Sequence, residues 1–101
     1  MELAIQTNND HVTVKISGQF TFADNQKFKH VIELLSQEGL HGINLDFSQV
    51  SFIDSAGLGM LLLLRDQCQN NHISISIQNA KGQVEKVFLI SKFDQLFTMK
   101  T

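Results

Sequence analysis

The residues whose types and spacing are best suited to chemistry lie at positions 52–59, which read Phe-Ile-Asp-Ser-Ala-Gly-Leu-Gly. An apolar stretch ends at Ile53, an acidic residue and a serine follow, and small residues then lead into a leucine-rich segment. This order predicts a helix that begins near Ser55, with the serine hydroxyl at the positive end of the helix dipole. Because backbone N–H groups point outward there, the position accommodates a phosphate group well. We therefore interpret Ser55 as a candidate phosphorylation switch.

Asp54 is the predicted N-cap of the same helix, since its carboxylate can accept hydrogen bonds from N–H groups one turn further on. A purely structural interpretation has about equal weight here, because Ser and Asp are among the commonest capping residues. Gly57 and Gly59 favour a functional interpretation. Each costs about 1 kcal/mol in a helix relative to Ala, and a close approach of backbone would offset that cost. Asp54, Ala56 and Gly57 make up the predicted phosphosite loop.

Apolar residues of the predicted helix divide into two groups. One group should anchor the helix on the sheet: Ala56, Leu58, Leu61, Leu62 and Leu64. Met60 and Leu63 should lie on its flank or outer side, and exposed apolar side chains beside a polar switch suggest a partner surface. Leu58 is expected to contribute to that contact as well. Phe20 and Phe22 are assigned to the same surface because their loop should lie near it, whereas the other six phenylalanines are core candidates.

Length and composition favour a small soluble protein. A chain of 101 residues, 43% of them hydrophobic, predicts a single domain spanning 1–101. The net charge of −2 and the scattered Lys and Arg residues argue against nucleic-acid binding. Cys68 has no partner for a disulfide, and neither a signal peptide nor a membrane-spanning segment is evident. We expect a cytoplasmic protein.

The apolar pattern predicts strands and helices that mostly alternate. Strands are predicted at 3–5, 11–17, 43–47 and 73–77, and helices at about 24–35, 55–70 and 83–91. Thr21 and Asp24 resemble a capping box before the first helix. Residues 96–99 form a short apolar tail of undetermined type. Strand–helix–strand connections imply parallel pairing, and the first two strands should form a hairpin.

Each predicted strand keeps one polar side, which a parallel sheet covered on both faces would not do. We therefore predict a two-layer α/β sandwich: a mixed sheet of four or five strands with helices packed on one face. The other face should be largely wet. Its residues are Thr13, Lys15, Asn44, Asp46, Ser74 and Ser76.

Residues 45–59 resemble the phosphorylation-loop signature of the STAS family, the domain shared by sulphate transporters and anti-sigma factor antagonists. They read Leu-Asp-Phe-Ser-Gln-Val-Ser-Phe-Ile-Asp-Ser-Ala-Gly-Leu-Gly. The resemblance covers essentially the whole chain, with Gly18 and the segment 93–97 as supporting pieces. Two positions differ from the usual family pattern: Gln19 stands where an acidic residue is common, and Ala56 where Ser or Thr is frequent.

The resemblance to anti-sigma factor antagonists implies partner switching in bacteria. In that scheme the unphosphorylated domain binds an anti-sigma factor or related serine kinase of the histidine-kinase-like ATPase type. The kinase phosphorylates the serine that Ser55 matches and so releases the domain, and a PP2C-type phosphatase resets it. The partner could also be a regulator that carries kinase and phosphatase domains. The ATP belongs to the kinase, so the resemblance implies no cofactor for this chain.

Two other functions remain open from the sequence. Some single-domain members of the family are unphosphorylated subunits of lipid-transport ABC complexes, which is the alternative. An enzyme with Ser55 as nucleophile has less support, because the Gly-x-Ser-x-Gly elbow is missing. The four histidines lie at least eleven residues apart, so the sequence predicts no metal site. No residue is assigned a catalytic role.

Overall fold

A five-stranded mixed sheet forms one layer of the fold in the computed structural model, which describes residues 1–100. Thr101, the last residue of the predicted domain, lies outside the described residues. The strands are β1 (Glu2–Asn8), β2 (His11–Phe20), β3 (Gly42–Ile53), β4 (Ser74–Gln78) and β5 (Thr98–Lys100). They lie side by side in chain order. β1 and β2 form an antiparallel hairpin, and every later pair is parallel.

Helices connect the parallel strands and form the second layer. They are α1 (Asn25–Glu33), α2 (Ser55–Asn70) and α3 (Gly82–Ile90). Short 3-10 turns precede and follow α1, and a third at Phe93–Gln95 leads into β5. The predicted two-layer α/β sandwich is confirmed. The tail at 96–99, left undetermined by the sequence, supplies the beginning of β5.

β2 and β3 are both longer than the sequence pattern predicts. β2 continues past Gly18, where φ is +90°, as far as Phe20. The β2–β3 register shifts twice, between Lys15 and Ser17 and again between Gly18 and Gln19. Each shift adds a residue to β3, which is how a β-bulge acts, and so moves the inward-facing side along the strand. The buried residues of β3 therefore run Ile43, Leu45, Phe47, Val50 and Ile53, and the alternation is lost after Phe47.

The core lies between the sheet and the helices. β2 contributes Val12, Val14 and Ile16, all fully buried, and the helices contribute Phe28, Val31, Leu61, Leu64, Val84 and Phe88. A row of aromatic rings crosses it: Phe20, Phe28, Phe47, Phe88, Phe93 and Phe97. Cys68 is also fully buried, and burial raises the pKa of its thiol to about 11. The thiol therefore stays protonated and unreactive at neutral pH.

The opposite face of the sheet is polar, as predicted, but it is not uniformly wet. Ser76 Oγ donates to Asn44 Oδ1 at 2.8 Å, and Asn44 Nδ2 donates to Gln78 Oε1 at 2.6 Å. Ser76 is consequently buried, with 8% of its surface exposed, which corrects the expectation for that residue. The parallel register places Asn44 opposite Ser76, so the polar side chains of β3 and β4 satisfy one another.

Candidate functional site

Ser55 is the first residue of α2, and it is exposed. The preceding residue, Asp54, caps the helix: its Oδ1 accepts a hydrogen bond from the Gly57 backbone N–H at 2.8 Å. The capping function is thus supplied by the aspartate carboxylate rather than by the serine hydroxyl. The predicted N-cap at Asp54 is therefore present, and Ser55 keeps an exposed hydroxyl that capping does not use, whereas its role as a switch stays a prediction.

Asp54 also ties the start of α2 to the segment that follows β2. Its Oδ2 lies 3.3 Å from the Phe22 backbone N–H, which donates to it. The Asp54 backbone N–H donates in turn to the Phe20 carbonyl oxygen, also at 3.3 Å. Asp54 therefore holds the loop and the helix together directly before Ser55.

Gly57 and Gly59 have different roles. A Cβ atom at Gly57 would lie 2.7 Å from Ile53 Cγ1 and 2.8 Å from the Phe20 carbonyl oxygen, so the close backbone approach predicted from the sequence occurs here. A Cβ atom at Gly59 would have no neighbour within 4 Å. Gly59 is exposed, and its missing side chain leaves space on the surface of α2.

That space is part of a shallow groove, which we call the Phe22 groove. Its lining residues are Phe22, Asn25, Ala56, Gly59, Met60 and Leu63. Leu63 is 50% exposed and Phe22 is 71% exposed, whereas Met60 is half-buried. Because Ala56 directly follows Ser55, the groove begins next to the serine. The structure thus brings together Phe22, Met60 and Leu63, which the sequence assigned to one surface.

Three of the sequence-based assignments, those of Phe20, Leu62 and Phe52, need revision. Phe20 is fully buried, with its ring centroid 4.9 Å from that of Phe28, so it cannot contact a partner. Its side chain belongs to the core because β2 continues to this residue, and the strand turns it inward opposite Ile53. Leu58 is half-buried against the core, as its anchoring role requires, and lies outside the Phe22 groove, so its part in a partner contact stays a prediction. Leu62, expected to anchor α2, is 38% exposed, and Phe52, expected in the core, is 40% exposed.

The predicted capping box is present in the loop between β2 and α1. The Thr21 backbone N–H donates to Asp24 Oδ2 at 2.8 Å. Burial alone would raise the pKa of Asp24, but the hydrogen bond from Thr21 and the Met1 amino group, 3.2 Å from Oδ1, together lower it. Asp24 is therefore a buried, ionised anchor of the loop that presents Phe22.

At the other end of the sheet, two histidines that the sequence treated as separate meet at one carboxylate. His11 Nδ1 lies 2.7 Å from Asp10 Oδ1, and His41 Nδ1 lies 3.0 Å from Asp10 Oδ2. These hydrogen bonds, first from His11 and then from His41, lower the pKa of Asp10. Across residues 1–100, no three His, Cys, Asp or Glu side chains are arranged to hold a metal ion.

No helix in the described part of the chain is both long enough and apolar enough to cross a membrane.

Comparisons with known proteins agree on one family. The model of the STAS domain matches residues 2–101. A STAS-domain containing protein of Pseudomonas aeruginosa is 34% identical over 90 residues, which cover 89% of this chain and 88% of that protein. An anti-sigma-B factor antagonist of Staphylococcus epidermidis is 26% identical over 98 residues, covering 95% of this chain and 91% of the relative.

The fold agrees with solved structures of the anti-sigma factor antagonist SpoIIAA. Its unphosphorylated form superposes with a TM-score of 0.83 at 20% identity, covering 99% of this chain and 89% of that one. The phosphorylated form of the Bacillus protein gives a TM-score of 0.76 at 19% identity, covering 99% and 92%. Given a family match over nearly the full length and a relative above 30% identity, the chain belongs to the STAS domain family.

Proposed function

We propose that this protein is a phosphorylation-controlled, non-enzymatic binding module of the anti-sigma factor antagonist type, acting in the bacterial cytoplasm. In its unphosphorylated form it binds a partner through α2 and the Phe22 groove. Phosphorylation of Ser55 releases that partner. The observation that carries the proposal is an exposed serine at the start of α2 whose hydroxyl is not needed as the cap, because Asp54 supplies it.

The electrostatics of the site suit a change of charge without a change of fold. A phosphate on Ser55 would add about −1.5 to −2 charges at neutral pH. The N-terminus of α2 tolerates such a charge because its dipole and its N–H groups favour anions. Asp54, adjacent in sequence, opposes it by like-charge repulsion. The main result is therefore a strongly negative patch at the edge of an apolar groove, which a partner shaped for the neutral surface would no longer fit.

The relatives that are anti-sigma factor antagonists support an anti-sigma factor as partner, and the family resemblance adds the kinase and phosphatase types of the proposed partners. They are an anti-sigma factor that is itself a serine kinase of the histidine-kinase-like ATPase type, and a PP2C-type phosphatase that removes the phosphate. An exposed phosphoacceptor at a helix terminus is accessible to both enzymes, which supports this assignment. A regulator that carries kinase and phosphatase domains in one chain would use the same surface.

The first test is the position of the phosphate. After incubation with the cognate kinase and ATP, we expect mass spectrometry to find one phosphate on Ser55 and none in the variant Ser55→Ala. Ser51, the exposed serine four residues earlier, provides a matched control, because Ser51→Ala should be phosphorylated like the wild type. Phosphate at Ser51 alone would contradict the proposal. Co-purification with a transporter ATPase, without any phosphate, would instead support a structural subunit of a lipid-transport complex.

The second test is binding. Ser55→Ala keeps the neutral surface, so its affinity for the kinase should match that of the wild type within about twofold. Ser55→Asp adds a negative charge beside Asp54, and we expect at least a tenfold loss of affinity, about 1.4 kcal/mol. Isothermal titration calorimetry measures both, and circular dichroism verifies that both variants fold. Equal affinities for the two variants would rule out release by charge.

A further inference from the structure

Gln83, in the first turn of α3, makes a double hydrogen bond to the backbone of Ile53. Its Oε1 accepts from the Ile53 N–H at 3.1 Å, and its Nε2 donates to the Ile53 carbonyl oxygen at 3.1 Å. An amide side chain that contacts both polar groups of one residue reproduces what a neighbouring strand would do. No pattern in the sequence predicts this contact, which joins residues thirty positions apart.

Gln83 pairs with the Ile53 backbone at a position that β4 does not reach, because β4 is shorter than β3. The two strands pair only as far as Gln78 opposite Asp46, so Ile53 lies well beyond the part of β3 that β4 covers. On the other side of β3, β2 continues to the end: Phe20 is the register partner of Ile53, and its carbonyl oxygen accepts from the Asp54 N–H. The end of β3 is therefore held by a strand on one edge and by a single side chain on the other.

We propose that Gln83 is a positioning residue for Ser55. It acts through Ile53, two residues before the serine, by fixing the end of β3 from which Asp54 and the first turn of α2 project. The inference rests on the proposed role of Ser55 as phosphoacceptor. Phosphoryl transfer depends on the placement of the attacking hydroxyl in line with the transferred group, so a loosened strand end would slow it.

The variant Gln83→Glu tests this role with a readout that a merely structural residue would not give. A protonated carboxyl group has one donor and one acceptor and can replace the amide, whereas an ionised carboxylate only accepts and would face the Ile53 carbonyl oxygen. At pH 7.5 we expect phosphorylation of Ser55 to slow by about tenfold relative to the wild type. The Ile53 carbonyl oxygen faces the new carboxylate and disfavours its charge, so the pKa of that group should lie above its ordinary value of about 4.3. At pH 5 the ratio of the two rates should therefore move back towards one.

The controls separate charge, stability and position. Gln69→Glu adds the same charge at an exposed position near the far end of α2 and should be phosphorylated normally at both pH values. Gln83→Leu removes both hydrogen bonds and should remain slow at every pH. The charged residues next to the contact along the chain are Asp54, Lys81 and Glu85, and rates expressed relative to the wild type at each pH cancel their contribution.

A second measurement does not depend on any kinase. In ¹H–¹⁵N NMR spectra of Gln83→Glu, the backbone amides of Ile53 and Ser55 should titrate together with the new carboxyl group, and those of the wild type and Gln69→Glu should not. A Ser55 amide that stays unchanged through this titration would overturn the inference, as would phosphorylation of Gln83→Glu at the wild-type rate at both pH values. If the wild type itself takes no phosphate on Ser55, the proposed function fails, and the NMR titration still decides whether Gln83 positions the serine.

Discussion

Replacing Phe20 by alanine should destabilise the protein by about 3–5 kcal/mol, the usual cost of truncating a buried phenylalanine. The ring is fully buried, and its centroid lies 4.9 Å from that of Phe28 and 6.3 Å from that of Phe47. Because small domains are stable by only about 5–15 kcal/mol, this loss is a large part of the total. Urea unfolding followed by circular dichroism would measure it.

Phe22→Ala is the matched control, since it removes the same side chain two residues further along. Phe22 is 71% exposed, so its free energy of unfolding should change by no more than about 0.5 kcal/mol. Its affinity for the kinase should instead fall about tenfold or more, because an exposed aromatic side chain that lines an apolar groove can become buried against a partner and act as an interface anchor. A stable Phe20→Ala protein would contradict the structure, and a Phe22→Ala protein with normal affinity would remove the groove from the proposed interface.

Gly57→Ala should destabilise the fold by about 1–2 kcal/mol, the cost of overpacking less the gain in helix propensity. The added methyl group would lie 2.8 Å from the Phe20 carbonyl oxygen and 2.7 Å from Ile53 Cγ1. The start of α2 must then move away from the end of β3, and we expect slower phosphorylation of Ser55 as a result. Thermal unfolding and a timed kinase assay would measure the two effects.

Gly59→Ala should have the opposite effect on stability. Its added methyl group meets nothing within 4 Å, so the helix gains up to about 1 kcal/mol from the better propensity of Ala. The same methyl group occupies the floor of the Phe22 groove, so partner affinity should decrease while stability increases. If Gly59→Ala bound the kinase as tightly as the wild type, the groove would not be the contact surface; if both variants changed stability in the same direction, the assignment of the two glycines would be wrong.

Much of the fold follows from local pattern. Alternation in β2 and in the first half of β3, together with helical spacing in α2, was enough to predict the layers and the mixed sheet. The N-cap at Asp54 and the capping box at Thr21 and Asp24 can also be predicted from the sequence, because both depend on residues only three positions apart. Features of this kind are encoded within a single turn or strand.

The features that sequence reasoning missed depend on pairing between distant segments. The two bulges in the β2–β3 pair each add a residue to β3 and change which of its side chains face inward, and they cannot be predicted until the register is known. The same reason applies to Gln83 and to the meeting of His11 and His41, since neither contact has a characteristic spacing.

One carboxylate, that of Asp54, accepts hydrogen bonds from the Gly57 and Phe22 backbones with its two oxygens. The first turn of α2 and the loop that carries Phe22 are therefore held by one side chain, and Ser55 is the residue that follows it. If the proposed function holds, a partner that moves Phe22 would disturb the carboxylate that caps α2, and a phosphate on Ser55 that competes for the helix N–H groups would weaken the hold of that carboxylate on the loop. Partner binding and phosphorylation of Ser55 would then be coupled through Asp54, so that each makes the other less favourable.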